Sequence, residues 1–341
     1  MSAGAIGRFL LRRALLLVPL LLAVSFLCFM LVRLGGQDPV AMLAGPTATR
    51  GEIEMVRRGL ALDQPLWTQF AVWVGKVAQG DLGRSWISNR PVQGELLDRV
   101  PATLELLLLG DGLGALIGIP VGLKAAGRPD GAFDQVSRFL SLLGFSTPTY
   151  WLGLLMLLVF FYLLDWAPPG MGRISLMVEP PPRITGSYVL DALLTGNREA
   201  ASSSAAQLVL PALCVAMISA APIVKQTRAI ALEVLASDYV RYARAQGLPP
   251  RMLRGLVLRN SMVPVVTFVG TELAGLVGTT ALIEYVFAWG GIGQYGLNAI
   301  VGGDFAVVQG YVLLLAVFSV LVFLVVDLAV MMLEPRAGAR A

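Results

Sequence analysis

The chain has 341 residues, 56% of them hydrophobic and 14% charged, and its mean hydropathy is +0.74. A soluble domain cannot hide that much apolar surface, so the composition points to an integral membrane protein. The formal charge of +4 does not indicate a nucleic-acid binder, because the arginines sit at the ends of apolar runs and are not interleaved with aromatics. Histidine is absent, which removes the commonest general base and transition-metal ligand. No GxxxxGK[ST] loop surrounds Lys76, Lys124 or Lys225, so the chain is expected to hold no nucleotide, metal or other cofactor of its own.

In chain order, a basic cluster of Arg8, Arg12 and Arg13 precedes an apolar run over Ala14–Val32. At about 19 residues that run is long for a signal core, and residues 31–36 offer no small-x-small cleavage site, so it reads as a first span. Residues 33–100 are polar enough for an outer domain. Thr49 and Glu52 have capping-box spacing and open a short helix towards Leu60. Trp67, Phe70, Val74 and Val77 then recur at helical spacing. That stripe either packs the segment onto the bundle or caps the outer mouth, and both roles are compatible.

Further apolar runs over Thr103–Leu123, Phe139–Leu164, Ala205–Val224, Ser261–Ile283 and Tyr311–Leu333 are each near the ~20 residues that cross about 30 Å of hydrocarbon. The expected fold class is therefore an all-α integral membrane protein with six transmembrane helices. The second run carries Glu105 and Asp111, the third Pro148, the fourth Pro211 and Pro222, the fifth Glu272 and the sixth Asp327. Cys28 and Cys214 lie inside apolar runs and are read as small packed residues, not a disulfide. Gly110, Gly112, Gly114, Gly275, Gly278 and Pro148 permit either bending or close helix packing. Between the third and fourth runs, residues 165–204 are rich in Pro and Ser and cannot form one helix, although Val189–Leu194 suits a short surface helix.

The inner segment 229–260 carries the most information. Ser237 or Asp238 can cap a helix there; Gly247 can end it in the left-handed conformation, and Pro249 and Pro250 prevent its resumption. At 100° per residue, Tyr239, Tyr242, Ala243 and Gln246 share one face, and Val240, Arg241 and Arg244 the other. A short capped helix with an aromatic face suits docking into another protein; the alternative is a basic loop on anionic headgroups.

Lys/Arg asymmetry gives the orientation. With the N-terminus inside, the inner segments hold the N-terminal cluster, then Lys124, Arg128 and Arg138, then seven residues from Lys225 to Arg259, then Arg336 and Arg340. The outer segment 165–204 holds only Arg173, Arg183 and Arg198, and 284–310 holds none. Both termini are thus expected in the cytoplasm.

Asp238-Tyr-Val-Arg-Tyr-Ala-Arg-Ala-Gln-Gly247, followed by Leu258-Arg-Asn-Ser-Met-Val-Pro-Val-Val-Thr267, resembles the cytoplasmic coupling loop of ABC-transporter permeases of the dipeptide/oligopeptide family. The likeness runs almost end to end. It includes Arg8 to Arg13, Gly36-Gln-Asp-Pro39, Leu62-Asp-Gln-Pro-Leu66, Gly80-Asp-Leu-Gly-Arg-Ser85 and Pro101-Ala-Thr-Leu-Glu105. It continues through Gly118-Ile-Pro-Val-Gly122, Glu284, Val286-Phe287, Val307-Val-Gln-Gly310, Leu324-Val-Val-Asp327 and Glu334-Pro-Arg336. Departures are Gln246 for the usual Lys, Tyr242 for Thr, Leu256 for His, Gly290 for Pro, and Phe305-Ala306 for Tyr-Pro.

The resemblance implies the type I ABC importer permease fold, carrying di- or oligopeptides across the bacterial inner membrane by alternating access. It divides the chain into 1–32, a periplasmic cap 33–100 and a permease core 101–341 that includes the coupling loop 229–260. It further implies a second permease subunit forming a heterodimer, two cytoplasmic ATPase subunits that bind ATP and Mg, and an extracytoplasmic substrate-binding protein. By that analogy Asp238, Tyr239, Arg241, Ala243, Arg244 and Gly247 contact the ATPase. Asp111 and Glu272 lie near mid-span, where a lipid-facing charge costs about 2.5–3.5 kcal/mol, so they are expected to face the interior. There they either line the translocation path or are carboxylates satisfied within the packing; Glu272 stands where the family often has Gln. Asp327, near the inner end of its span, suits a structural or partner-facing role. The alternatives are another small solute, such as a metal chelate or glutathione, or a secondary transporter. An intramembrane enzyme would need a catalytic pair that the sequence does not supply.

Overall fold

The computed structural model describes residues 18–30, 49–59 and 63–333. The expectations resting on Arg8, Arg12 and Arg13, on Gly36–Pro39, on Leu60 and Leu62, and on Glu334–Arg336 and Arg340 fall outside the described residues, as do the two ends of the first expected span. Within the described residues the structure is helical, with one isolated antiparallel bridge between Arg84 and Pro91. The chain divides into two compact units.

The first unit comprises the described parts of Met1–Pro101 and Gly291–Val320. It contains α1 (Val18–Met30), α2 (Arg50–Gly59), α3 (Leu66–Ala78) and α11 (Ile292–Gly302), together with one end each of α4 (Val92–Ala126) and α12 (Phe305–Leu333). Helix α2 begins directly after Thr49, whose carbonyl accepts from the Ile53 amide at 3.1 Å. The stripe on α3 packs as the periodicity requires. Phe26 of α1 stacks on Trp67 at 5.5 Å and meets Phe70 edge-on at 5.3 Å, while Phe29 contacts Phe70 and Trp73.

The Gly80–Ser85 motif forms a lock on α12. Gly80 and Gly83 take positive φ, the Gly83 amide donates to the Asp81 carboxylate at 2.8 Å, and the buried Ser85 hydroxyl donates to Asp304. Asp304 also accepts from the Ile87 amide and, at the start of α12, from the Val307 amide. Its carboxylate therefore fixes the loop and satisfies orphan helix donors together.

The second unit comprises Ala102–Gly290 and the described part of Leu321–Ala341. It contains the rest of α4, α5 (Ala132–Ser146), α6 (Thr149–Met156, continued by a π-helical turn Leu157–Leu163), α7 (Tyr188–Leu194), α8 (Arg198–Ala236), α9 (Asp238–Ala245), α10 (Pro250–Val286) and the end of α12. Helices α4, α8, α10 and α12 are long and apolar enough to cross a membrane. Four of the expected runs, the second, fourth, fifth and sixth, are only parts of their helices. The 39 residues of α8 extend about 58 Å at 1.5 Å each, well beyond the hydrocarbon thickness. Pro211 and Pro222 are accommodated inside it. The inner segment 229–260, read as a loop, consists largely of the projecting ends of α8 and α10 with α9 between them.

The third expected run, Phe139–Leu164, forms a bent pair of helices and not one continuous helix. Helices α5 and α6 meet at a 102° bend. Proline disfavours helical dihedrals in the residue before it. Thr147 accordingly turns extended (φ −80°, ψ 123°), and its hydroxyl donates back to the Leu143 carbonyl at 2.7 Å.

Helix α4 lies against α8 along a seam of glycines. A Cβ at Gly110 would strike Val215, one at Gly114 would overlap the Ser219 hydroxyl, one at Gly118 would strike Ile223, and one at Gly122 would come within 2.8 Å of the Val224 carbonyl. Of the glycines singled out in the sequence, Gly110 and Gly114 belong to this seam, whereas Gly112, Gly275 and Gly278 have open space where a Cβ would point. Gly118 and Gly122 extend it, and Gly270 makes a similar close approach to Val326.

One end of this unit is clamped by the Pro101–Glu105 motif. Ala102 offers its carbonyl to the buried Trp289 indole at 2.8 Å, and the Thr103 hydroxyl donates to Glu284 at 2.6 Å. Glu105 accepts from Arg173 at 2.9 Å, from the Ser187 hydroxyl at 2.6 Å and from the Val189 amide at 3.3 Å. The Arg173 guanidinium lies 3.9 Å over the Tyr188 ring. Gly290, where the resembled family has proline, has φ +76°, a value closed to proline, so this chain makes a different turn there.

Residues 165–197 are correspondingly ordered around Asp191 on the short α7, close to where the sequence placed a surface helix. The buried carboxylate accepts from the Thr185 amide and hydroxyl, both at 2.7 Å, and from the amides of Gly186 and Ile184. Burial by itself raises the Asp191 pKa, but these hydrogen bonds outweigh it and hold the carboxyl below its ordinary value. Cys28 and Cys214 are buried free thiols.

Two outcomes follow from this packing. Gly114→Val is expected to destabilise the protein by about 1–3 kcal/mol, because the seam cannot separate without losing contacts along its length. Gly112→Val, facing open space, should be close to neutral; thermal unfolding of the purified protein in detergent compares them. A carboxylate with a lowered folded pKa contributes stability above its unfolded pKa of about 3.9, and that contribution is lost as pH falls through the folded value. The unfolding midpoint should therefore fall below about pH 4, and Asp191→Asn should lower it at neutral pH while flattening the acid-side decline.

Candidate functional site

The residues expected to form a docking element lie on α9, and its geometry follows from its ends. Ser237 occupies the N-cap position (φ −66°, ψ 151°), but its hydroxyl donates backwards to the Val234 carbonyl and does not cap α9. Asp238 in the first turn pairs with Arg241 at 2.6 Å on a solvent-exposed surface, an arrangement that contributes little to stability. At the other end, the Leu248 amide donates to the Ala243 carbonyl at 3.2 Å and the Gly247 amide to the Arg244 carbonyl at 3.0 Å. With Gly247 at φ +75°, this is a Schellman cap, as the Gly-x-Pro-Pro pattern requires. Pro249 then occupies the N-cap and Pro250 the first position of α10.

One side chain fixes α9 to the bundle. Val240 is fully buried with Ala126, Ala231 and Val257, and Leu123, Leu235, Leu253 and Leu256 pack around them. The helical wheel grouped Val240 with Arg241 and Arg244; in the structure Val240 points inward, while both arginines remain exposed. Tyr239 is 46% and Tyr242 68% exposed, Gln246 is exposed and Ala243 is partly covered. Leu256, where the resembled family has His, belongs to the cluster around Val240. Thus α9 offers two exposed aromatic rings and two exposed guanidinium groups on a short, capped, anchored rod.

Asp111 on α4 and Glu272 on α10 lie close enough for their charges to interact. Asp111 is only 4% exposed, and one of its carboxylate oxygens has no hydrogen-bond partner; Ser219 of α8 is placed to serve the carboxylate. Glu272 is partly exposed. Asp111 lies on the same seam helix as Gly110 and Gly114, and the Ser219 hydroxyl across the seam donates to the Ala216 carbonyl. Asp327 lies half-buried on α12.

Sequence reasoning missed one charged pair near α9. The Asp134 carboxylate on α5, fully buried, receives a two-pronged interaction from Arg228 on α8, with the second contact at 2.7 Å. Asp134 also accepts from the Asp130 amide at 2.9 Å, which fixes the turn between α4 and α5. Arg228 had been assigned only a topological role. The available signal was a lone aspartate beside an apolar run, and it does not reveal a partner 94 residues away.

Comparison with known proteins places this geometry in context. Residues 118–338 match a family model described as "Binding-protein-dependent transport system inner membrane component". Residues 6–107 match the N-terminal model described for the same transport-system membrane components. The probable D,D-dipeptide transport system permease protein of Escherichia coli (strain K12) is 39% identical over 323 residues, covering 94% of this chain and 95% of that protein. The di/tripeptide transport system permease protein of Pseudomonas aeruginosa (strain UCBPP-PA14) is 38% identical, covering 96% and 98%. The dipeptide transport system permease protein of Alkalihalophilus pseudofirmus is 34% identical, covering 95% and 97%.

Proposed function

The chain belongs to the family of binding-protein-dependent transport system inner membrane components, and from that premise we propose that it is the permease subunit of an ATP-driven importer of short peptides. The observation that carries the peptide assignment is near-full-length similarity, at 34–39% identity, to permeases named for dipeptide, D,D-dipeptide and di/tripeptide transport. Glutathione, metal chelates and secondary transport have no counterpart among these named relatives.

The protein is an integral inner-membrane component of a multi-component system. In our reading its partners are a second permease, two cytoplasmic ATPase subunits that hold ATP and Mg, and an extracytoplasmic binding protein that delivers the peptide. Both termini lie in the cytoplasm, as the inner lysines and arginines favour, and residues 33–100 cap the outer side.

The work of the ATPase enters through α9. Tyr239, Tyr242, Arg241 and Arg244 project from it, with Asp238, Ala243 and Gly247 setting its ends and its covered edge. Closure of the ATPase dimer on ATP displaces α9, and Val240 passes the displacement to the ends of α8 and α10, which pack against it. Alternating access requires two bundle arrangements of similar energy, and the long helices convert a shift at one end into motion along the path. Glu272, partly exposed on α10, lines that path and attracts the positively charged amino terminus of the peptide, with the buried Asp111 adding its charge from behind.

Arg244→Glu and Tyr242→Ala are expected to lower peptide uptake at least about tenfold and to abolish peptide-stimulated ATP hydrolysis, while the chain still inserts. Uptake into vesicles and phosphate release from the reconstituted transporter measure both, and normal stimulation in these variants would reject the docking role. Glu272→Gln should raise the KM for peptides with a free amino terminus more than for N-acetylated ones. An equal effect, or none, on both classes would remove Glu272 from the path.

A further inference from the structure

An apolar groove of about 640 Å³ lies in the second unit, inside the bend between α5 and α6 and against α4 and α8. Ile117 and Val121 of α4, Phe133 of α5, Trp151 of α6, and Met217 and Ala221 of α8 line it. On α4 the groove-facing row advances from Ile117 through Val121 to Lys124, in steps of four and three residues. On α8 the row Leu213, Met217, Ala221 leads, at the same four-residue step, to Lys225. The glycine contacts run in parallel, Gly110 to Val215 and Gly122 to Thr227, so both lysines lie towards the same end of the groove.

The charges at that end are unequal. Arg228 is neutralised by Asp134, and Arg138 lies 3.6 Å from Asp130. Neither lysine has a carboxylate partner among the described residues, and the Lys124 ammonium rests 4.3 Å over the Phe133 ring that lines the groove. A long apolar slot ending in unneutralised lysines matches one acyl chain continued by an anionic headgroup.

We propose that this groove binds an anionic phospholipid, with one acyl chain between α4, α5, α6 and α8 and its phosphate on Lys124 and Lys225. The lipid fills the inside of the 102° bend, where proline leaves the two helices unable to pack on each other. The inference needs only the membrane embedding of the chain and is independent of what it transports, so failure of the uptake experiments above leaves it standing.

The test reconstitutes the whole transporter in vesicles of phosphatidylglycerol and phosphatidylcholine, in which only one of the two lipids carries a dibrominated acyl chain. Fluorescence lost between the wild type and Trp151→Phe reports contact at the groove. Quenching of that component should favour phosphatidylglycerol over phosphatidylcholine by about fivefold or more. In the Lys124→Gln/Lys225→Gln variant the preference should fall to about one while quenching at Trp151 persists, which shows that the groove is intact. Equal quenching by the two lipids in the wild type, or a preference unchanged in the double variant, would overturn the site. Absence of quenching by either lipid would mean that another protein helix covers the groove, and would overturn it equally.

Discussion

The close approach of α4 to α8 is the contact on which the second unit depends. In hydrocarbon there is no hydrophobic force to press helices together, so association rests on van der Waals contact and on the few polar groups buried between them. Glycine at every fourth position of α4 lets backbone carbonyls of α8 come within about 3 Å of where a side chain would begin. That proximity accompanies the clamp made by the Pro101–Glu105 motif and the pairing of the Asp130–Asp134 turn with Arg228. Each of these charged or polar contacts lies in low dielectric, where an unpaired charge would be costly, and most are satisfied more than once.

The span-forming runs were legible because their signal is local: about 20 consecutive apolar residues leave few structural choices. The cap of α9 was legible for the same reason, since Gly247 followed by Pro249 and Pro250 admits few backbone paths. What escaped was whatever depends on two distant parts of the chain. Asp134 and Arg228, Ser85 and Asp304, and Glu105 and Arg173 are each joined by a fold that no periodicity specifies. Proline inside a run proved ambiguous: Pro211 and Pro222 are absorbed by α8, whereas Pro148 breaks the third run by 102°. At Pro148 the preceding residue, Thr147, turns extended, and its hydroxyl donates to the Leu143 carbonyl as the chain turns away.

Helix α9 combines a rigid interior with soft joints. Its eight residues are closed at the C-terminal end by two backbone hydrogen bonds and held from below by a single valine, while Ser237 on one side and Leu248–Pro249 on the other are extended or irregular. The proposed docking role requires this division: stiffness where force is applied and compliance where the helix meets the elements it moves. The exposed tyrosines form no aromatic contacts within the described residues, in contrast to the aromatic cluster that joins α1 to α3.

The seam also constrains how the protein is made. Helix α4 carries Glu105 and Asp111 into the bilayer, and alone there it would bear about 2.5–3.5 kcal/mol for an acidic group at its centre. The groups that settle Glu105, in the Arg173–Ser187 segment, and the α8 helix that buries Asp111 are synthesised later than α4. Until α8 emerges, the nascent α4 lacks the groups that meet its acids in the finished bundle. A weaker seam would then slow assembly as well as lower the stability of the finished protein.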